Sequence, residues 1–221
     1  NMQPFNRIIN GAMTIDQRNA GASVSATNGG YTIDRWLAIT YDAGAQTGKF
    51  TVQQNSGNAP VFQGFTQCAK ITSSAATTVS NSGIYAITQV IEGLNLSDLA
   101  WGTASAKSIT VSFWVCSSLT GNFGGAINNG NGNYNYPFQY TINSADIWEY
   151  KTITIAGPTS GTWLTTNGIG LYLRFGLGAG SAWSQPAGAW TTTTAYTANS
   201  SVSVVGTSGA TFYITGVQLE A

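Results

Sequence analysis

Histidine is absent from the chain, and charge of either sign is scarce. Without an imidazole, neither a Ser-His-Asp nor a Cys-His nucleophile can be assembled from these residues. Eight basic and eight acidic side chains make 7% of the chain charged, against roughly 25% in an ordinary domain. They sum to zero, so no net field draws the protein to nucleic acid or to an anionic membrane. Cysteine is nearly missing too. Cys68 and Cys116 are too few for a disulfide framework, and both sit in strand-like runs where a free, buried thiol is expected. No apolar run approaches the ~20 residues of a membrane-spanning helix. The first residues lack a signal-peptide pattern, and because the chain starts at Asn1 and not at Met, an upstream segment is allowed for.

What is present is aromatic and polar. Disordered chains combine high net charge with few aromatics, whereas 12% of these residues are Phe, Trp or Tyr. With 221 residues the chain can bury about 70% of its unfolded surface and needs no covalent staple. Solubility rests on Ser, Thr, Asn, Gln and Gly, which gives little electrostatic protection against self-association.

Helix signals are scarce; in "EGLNLSDLAW" Ser97 is placed to cap a short turn starting at Asp98. Strand signals are everywhere. In "SITVSFWV", Ile109, Val111, Phe113 and Val115 share one face. In "GIGLYLRFGL", Ile169, Leu171, Leu173 and Phe175 point inward and Tyr172 and Arg174 outward. In "ATFYITGVQLEA" the alternation of Phe212 and Ile214 slips by one before Val217 and Leu219, and the slip at Gly216 reads as a β-bulge. Further strands are expected at 7–16, 31–41, 48–54, 61–72, 84–92 and 136–142. With no repeat and no shift in composition, the expectation is one all-β domain over residues 1–221. It should be a two-sheet antiparallel β-sandwich of the jelly-roll type, with the two ends of the chain adjacent.

The motifs "GIYAITQVIEGLN", "SITVSFWVCSS" and "ATFYITGVQLE" resemble carbohydrate-binding-module-like jelly rolls. The longer series "NRIINGAMTIDQRNAGAS", "YTIDRW", "SFWVCSSLTG", "WEYKTITIAG", "NGIGLYLRFGLGAGS" and "GATFYITGVQLE" resembles a domain of bacteriophage virion proteins, met at tail-fibre tips and as a virion structural protein. The resemblance implies a non-enzymatic protein on the virion surface, self-associated (a homotrimer in a fibre). Its partners would be other virion proteins and host surface polysaccharide, with neither nucleic acid nor membrane insertion. A capsid or tail decoration role is the alternative, and a polysaccharide-degrading enzyme a third. The same resemblance raises a structural calcium, for which Asp16 and Glu220 are the remaining acidic candidates. No other cofactor is implied.

Tested residue by residue, the chain favours binding over catalysis. Asp146 and Glu149 are the nearest carboxylate pair, yet a spacing of three puts them on opposite faces of a strand. Asp34 and Arg35 read as a local ion pair beside a core Trp36, and "GLGAGS" lacks the helix and lysine of a phosphate loop. An uncharged groove of Tyr, Trp and Asn would suit a neutral glycan. The candidates are Asn131, Asn133, Tyr134 and Tyr136 in "NGNGNYNYPFQY", Trp183 and Trp190 in "SAWSQPAGAW", and Tyr196 in "TAYTANSS". Two readings stand for the tyrosines: Tyr134, Tyr136, Phe138 and Tyr140 share one strand face, as core residues would. The strand also carries Pro137, which places it at a sheet edge or marks the strand's start. Trp36, Trp114 and Trp148 lie in regular strands and read as structural.

Overall fold

A computed structural model of the chain describes residues 6–42 and 47–221. Strands β1 (Val24–Thr27), β2 (Tyr31–Ile33), β3 (Trp36–Tyr41), β4 (Thr47–Asn55), β5 (Cys68–Ser73), β6 (Ile84–Glu92) and β7 (Ile109–Ser117) are followed by β8 (Gly121–Asn129), β9 (Asn135–Ile142), β10 (Glu149–Ile155) and β11 (Ile169–Ala179). A short parallel pair, β12 (Ser184–Gln185) and β13 (Thr197–Ala198), precedes the closing strand β14 (Thr211–Glu220). Two six-stranded antiparallel sheets result, ordered β1-β4-β5-β14-β7-β10 and β2-β3-β6-β11-β8-β9. This is the expected β-sandwich jelly roll.

Alternation fills the space between the sheets. Phe113 and Phe212 from the first sheet meet Trp36, Phe123, Phe138, Tyr140 and Phe175 from the second. Phe113 lies 5.0 Å from both Phe175 and Tyr140, edge to face, a geometry worth about 1 kcal/mol beyond burial. Gly216, at φ 60°, carries the bulge at which β14 shifts register against β7, so Phe212, Ile214, Val217 and Leu219 are all buried. Cys68 and Cys116 are free and buried beside Tyr213 on the outer face of the first sheet.

Several elements depart from the sequence reading. Residues 7–16 form no strand. They run as an irregular segment beside β14, with Arg7 N donating to Leu219 O and the Gln89 side chain holding both backbone groups of Ile9. The 31–41 run is a hairpin, broken at Arg35 by a positive φ of 73°. Arg35 pairs with Glu92, not with Asp34. The 61–72 run opens with a 3-10 turn, Val61–Gln63, and only then becomes β5. Ser97 caps nothing: it lies inside a 3-10 helix, Gly93–Leu99, and donates to Leu94 O. Strands β1 and β8 were not anticipated, and "GNFGGAINN" hides β8 behind turn-forming residues. Ile169 is exposed, whereas Arg174, expected in solvent, is only 4% exposed.

Among the described residues, Tyr140 is the core ring with a polar cost, since its buried hydroxyl has no hydrogen-bond partner. Replacing it by Phe should stabilise the fold by about 1 kcal/mol, read as a higher denaturant midpoint at unchanged slope. Burial pushes the phenol above its ordinary value of 10. The stability this carries is complete below that value and lost as pH rises through the folded one, because only the unfolded chain ionises freely. The wild type should therefore lose stability above pH 10 more steeply than Tyr140→Phe. Burial likewise raises the thiols, Cys68 to about 12 and Cys116 to about 11, so both should resist a thiol reagent until the protein unfolds.

Candidate functional site

The outer face of the second sheet is not a plain solvent face. Its residues include Leu37, Ile39 and Tyr41 on β3, Thr88 on β6, Tyr172 and Arg174 on β11, Ala126 and Asn128 on β8, and Asn135 and Pro137 on β9. The long connection between β11 and β14 folds back over the β8–β9 half. Thr191 exchanges backbone hydrogen bonds with Asn135 at 2.8 Å, and Gly188 N donates to Pro137 O. Glycines make the close approach feasible. A Cβ on Gly124 would meet Ser201 Oγ, Thr197 Oγ1 and the Ala198 backbone nitrogen, and one on Gly176 would meet Thr197.

Buried amides pin the connection down. Arg174 Nε donates to Asn128 Oδ1 at 2.7 Å. Asn128 Nδ2 donates to Asn135 Oδ1 and to Ala195 O, both at 2.6 Å, and Asn135 Nδ2 donates to Thr193 O at 3.0 Å. A buried polar ladder of this kind holds only if its members are satisfied. The Arg174 guanidinium carbon also lies 4.0 Å from the Tyr196 ring centroid and 4.4 Å from that of Tyr172. Tyr196 in turn stacks on Trp183 at 4.9 Å and 25°. Trp183 is anchored by its indole N–H to Ser82 O at 2.7 Å.

The β3–β6–β11 half of the face stays open as a groove of about 570 Å³. Leu37, Ile39, Tyr41, Ile84, Tyr172 and Arg174 line it together with Trp183, Tyr196 and the Asn28–Gly29 turn. No Asp or Glu lines it among the described residues. Of the sequence candidates, Trp183 and Tyr196 are brought together here.

The other candidates lie elsewhere. Trp190 is half-buried in a cluster of rings: Tyr134 stacks on it at 5.6 Å and 16°, Tyr136 lies 5.2 Å away, and Trp101 and Trp163 meet it edge-on at 5.7 and 5.5 Å. The indole N–H groups of Trp101, Trp163 and Trp190 donate to Lys107 O, Ser160 O and Ala156 O. This aromatic knot closes one end of the sandwich. Asn131 is exposed on the β8–β9 turn, and Asn133 is tied to Asn129, whose Oδ1 accepts from Asn133 N and Tyr134 N. As Pro137 implied, β9 is an edge strand.

Asp16 spends its carboxylate on its own loop, accepting from Asn19 N and Gly21 N, and Glu220 sits opposite Thr110 at the end of β14. No group of three or more His, Cys, Asp or Glu is placed to hold a metal among the described residues. Glu149 accepts from Asn143, Ser144 and Lys151. Burial raises its carboxyl, yet these donors together bring it down to about 2.

No protein-family model matches the chain, and no curated protein does. Solved structures with a similar chain path include carbohydrate-binding modules. One is a CBM4 at 18% identity, with 96% of this chain and 98% of that one covered and a TM-score of 0.45. Another is TmCBM61 in complex with β-1,4-galactotriose, at 13% identity, 97% of each chain and 0.45. The enzymatically active domain of tailspike protein 4 of bacteriophage CBA120 matches at 10% identity and 0.47 over 97% of this chain, which spans 21% of that one. No site residue is carried over from these proteins.

The groove was missed in the sequence because an outward-pointing residue was equated with a solvated one. One signal did point to it: "WLAITY" is apolar on both faces, which a half-exposed strand is not. Asn128→Ala should cost about 3 kcal/mol, because it strips partners from Arg174, Asn135 and Ala195 at once. Urea unfolding would measure this, and hydrogen exchange should show the Tyr196–Ala198 amides losing protection.

Proposed function

We propose that the chain is a non-catalytic glycan-binding domain whose site is the groove on the second sheet. One observation carries the reading. The stacked Trp183–Tyr196 pair stands over a largely apolar floor of Leu37, Ile39 and Tyr41, and the polar lining is the Asn28 turn, Arg174 and the tyrosine hydroxyls. Apolar walls with a few placed polar groups suit a sugar, whose ring faces are apolar and whose hydroxyls point outward. Glycoside hydrolysis needs two carboxylates about 5 to 9.5 Å apart across the bond, and the groove offers neither. The motif resemblance to phage virion domains supports a place on a particle surface. There, repeated weak sites would act together through effective concentration.

A second observation favours an assembly contact on the opposite face. Val61 and Phe62 are 69% and 66% exposed, and Phe62 meets Trp114 edge-on at 5.9 Å beside a half-exposed Tyr150. Contiguous apolar surface of this kind marks contact with another protein, and both surfaces can serve one protein.

Trp183→Ala should weaken binding to any polysaccharide found on a glycan array by roughly tenfold or more. Trp190→Ala should leave affinity intact while costing about 3–5 kcal/mol of stability. Equal loss of binding in both variants would move the site to the knot, and no binding to any glycan would remove the reading. For the opposite face, Phe62→Ser should lower the sedimentation coefficient of the purified protein if that face joins copies of the chain. An unchanged, monomeric coefficient for the wild type would exclude self-association through it.

A further inference from the structure

We propose that the groove selects an acidic glycan, one whose sugar carboxylate pairs with Arg174. This rests on the glycan reading above and departs from the neutral sugar that the low charge of the chain suggests. Arg174 sits on β11, one of the two central strands of the sheet, is 4% exposed and lines the groove. It forms no ion pair: the described salt bridges join Arg7 to Asp98, Arg35 to Glu92 and Lys151 to Glu149. All eight acidic side chains of the sequence fall among the described residues, and none lines the groove.

A guanidinium taken out of water without a counter-charge is penalised by lost hydration. The Tyr172 and Tyr196 rings offset part of this, and the bond from Nε to Asn128 offsets more. That accounts for one edge of the guanidinium. On the other edge, Nη1 has a single 3.4 Å contact with Thr88 Oγ1, and Nη2 has no hydrogen bond to the described protein. Nη2 is also not among the buried polar atoms without a partner, so it keeps some access to solvent on a residue that lines the groove.

Two parallel N–H donors on one cationic plane match a carboxylate bidentately. A sugar hydroxyl could accept one of those bonds but would leave the charge uncompensated. Burial already pulls the Arg174 pKa below its ordinary value, against the opposing pull of Tyr196 and Tyr172, and a bound anion would reverse that strain. The apolar walls lower the local dielectric, so the pairing would be stronger here than on an open surface.

The test compares acidic polysaccharides with neutral counterparts of the same backbone. Polygalacturonate, alginate and hyaluronate would each be titrated by calorimetry against their methyl-esterified forms. Dextran sulfate serves as a sulfated arm, and β-glucan and galactan as neutral controls. At least one free-acid polymer should bind tenfold or more tighter than its ester. Arg174→Gln, which keeps an amide donor for Asn128, should bring the two forms within about threefold, with a melting curve confirming the fold. Should that variant unfold, the wild-type comparison of acid with ester still decides.

Equal affinity for acid and ester, or binding confined to β-glucan or galactan, overturns the inference and leaves the glycan reading standing. Binding to dextran sulfate but to no carboxylated polymer overturns the carboxylate assignment. Binding to none of these polymers and to no glycan on the array overturns the glycan reading, and the inference with it.

Discussion

A guanidinium buried on the outside of a β-sheet is the constraint on which the rest of this surface depends. Arg174 cannot be covered unless its Nε is paired, and Asn128 supplies that pairing only because Asn135 fixes the amide in turn. The two asparagines each spend an amide donor on the connection, at the carbonyls of Ala195 and Thr193, which fastens the long connection before β14 to the sheet. Once it is fastened, Tyr196 is delivered to the face of Arg174 and Trp183 to the face of Tyr196. The wall of the groove is thus a consequence of satisfying buried polar groups. It is rigid for the same reason, because no member of the ladder can leave without orphaning another.

The same connection explains the odd composition of β8 and the end of β11. Backbone laid directly on a sheet leaves no room for side chains beneath it, which is why Gly124 and Gly176 stand where strand formers are usual. The sheet carries the covering segment at glycine positions and leaves its larger apolar residues, Leu37, Ile39 and Tyr41, in the uncovered half. Covered and open halves of one face are therefore written into the strands themselves.

The sandwich was legible because its two inner faces obey strict alternation. Ile109 to Val115 and the slip at Gly216 could be placed without coordinates, since a period of two and a glycine bulge are local properties. The opening segment was not legible as irregular, because the Gln89 side chain that replaces a ladder there is some 80 residues away. The lining of the candidate groove was half legible. Trp183 and Tyr196 stood out as aromatics in loops, while Trp190, equally conspicuous, packs half-buried against Trp101 and Trp163 from two other loops. Sequence distance conceals such meetings. Arg174 was hidden by the assumption that a charged residue on an outer face is wet, and nothing local in "GLYLRFGL" contradicts that assumption.

Scarcity of charge gives the groove its character. In a chain with zero net charge and 7% charged residues, no long-range field guides a ligand, and encounter proceeds at an unsteered rate. An isolated, poorly hydrated cation acts only over the last few ångströms, after the apolar walls have displaced water. For a sugar bound as proposed, its effect would then fall on the lifetime of the bound state and on the choice between a charged sugar and a neutral one, not on the rate of arrival. Salt should matter little as well, because a pair formed inside the groove is screened far less than one on the surface. Recognition by such a site is a matter of fit first and charge second.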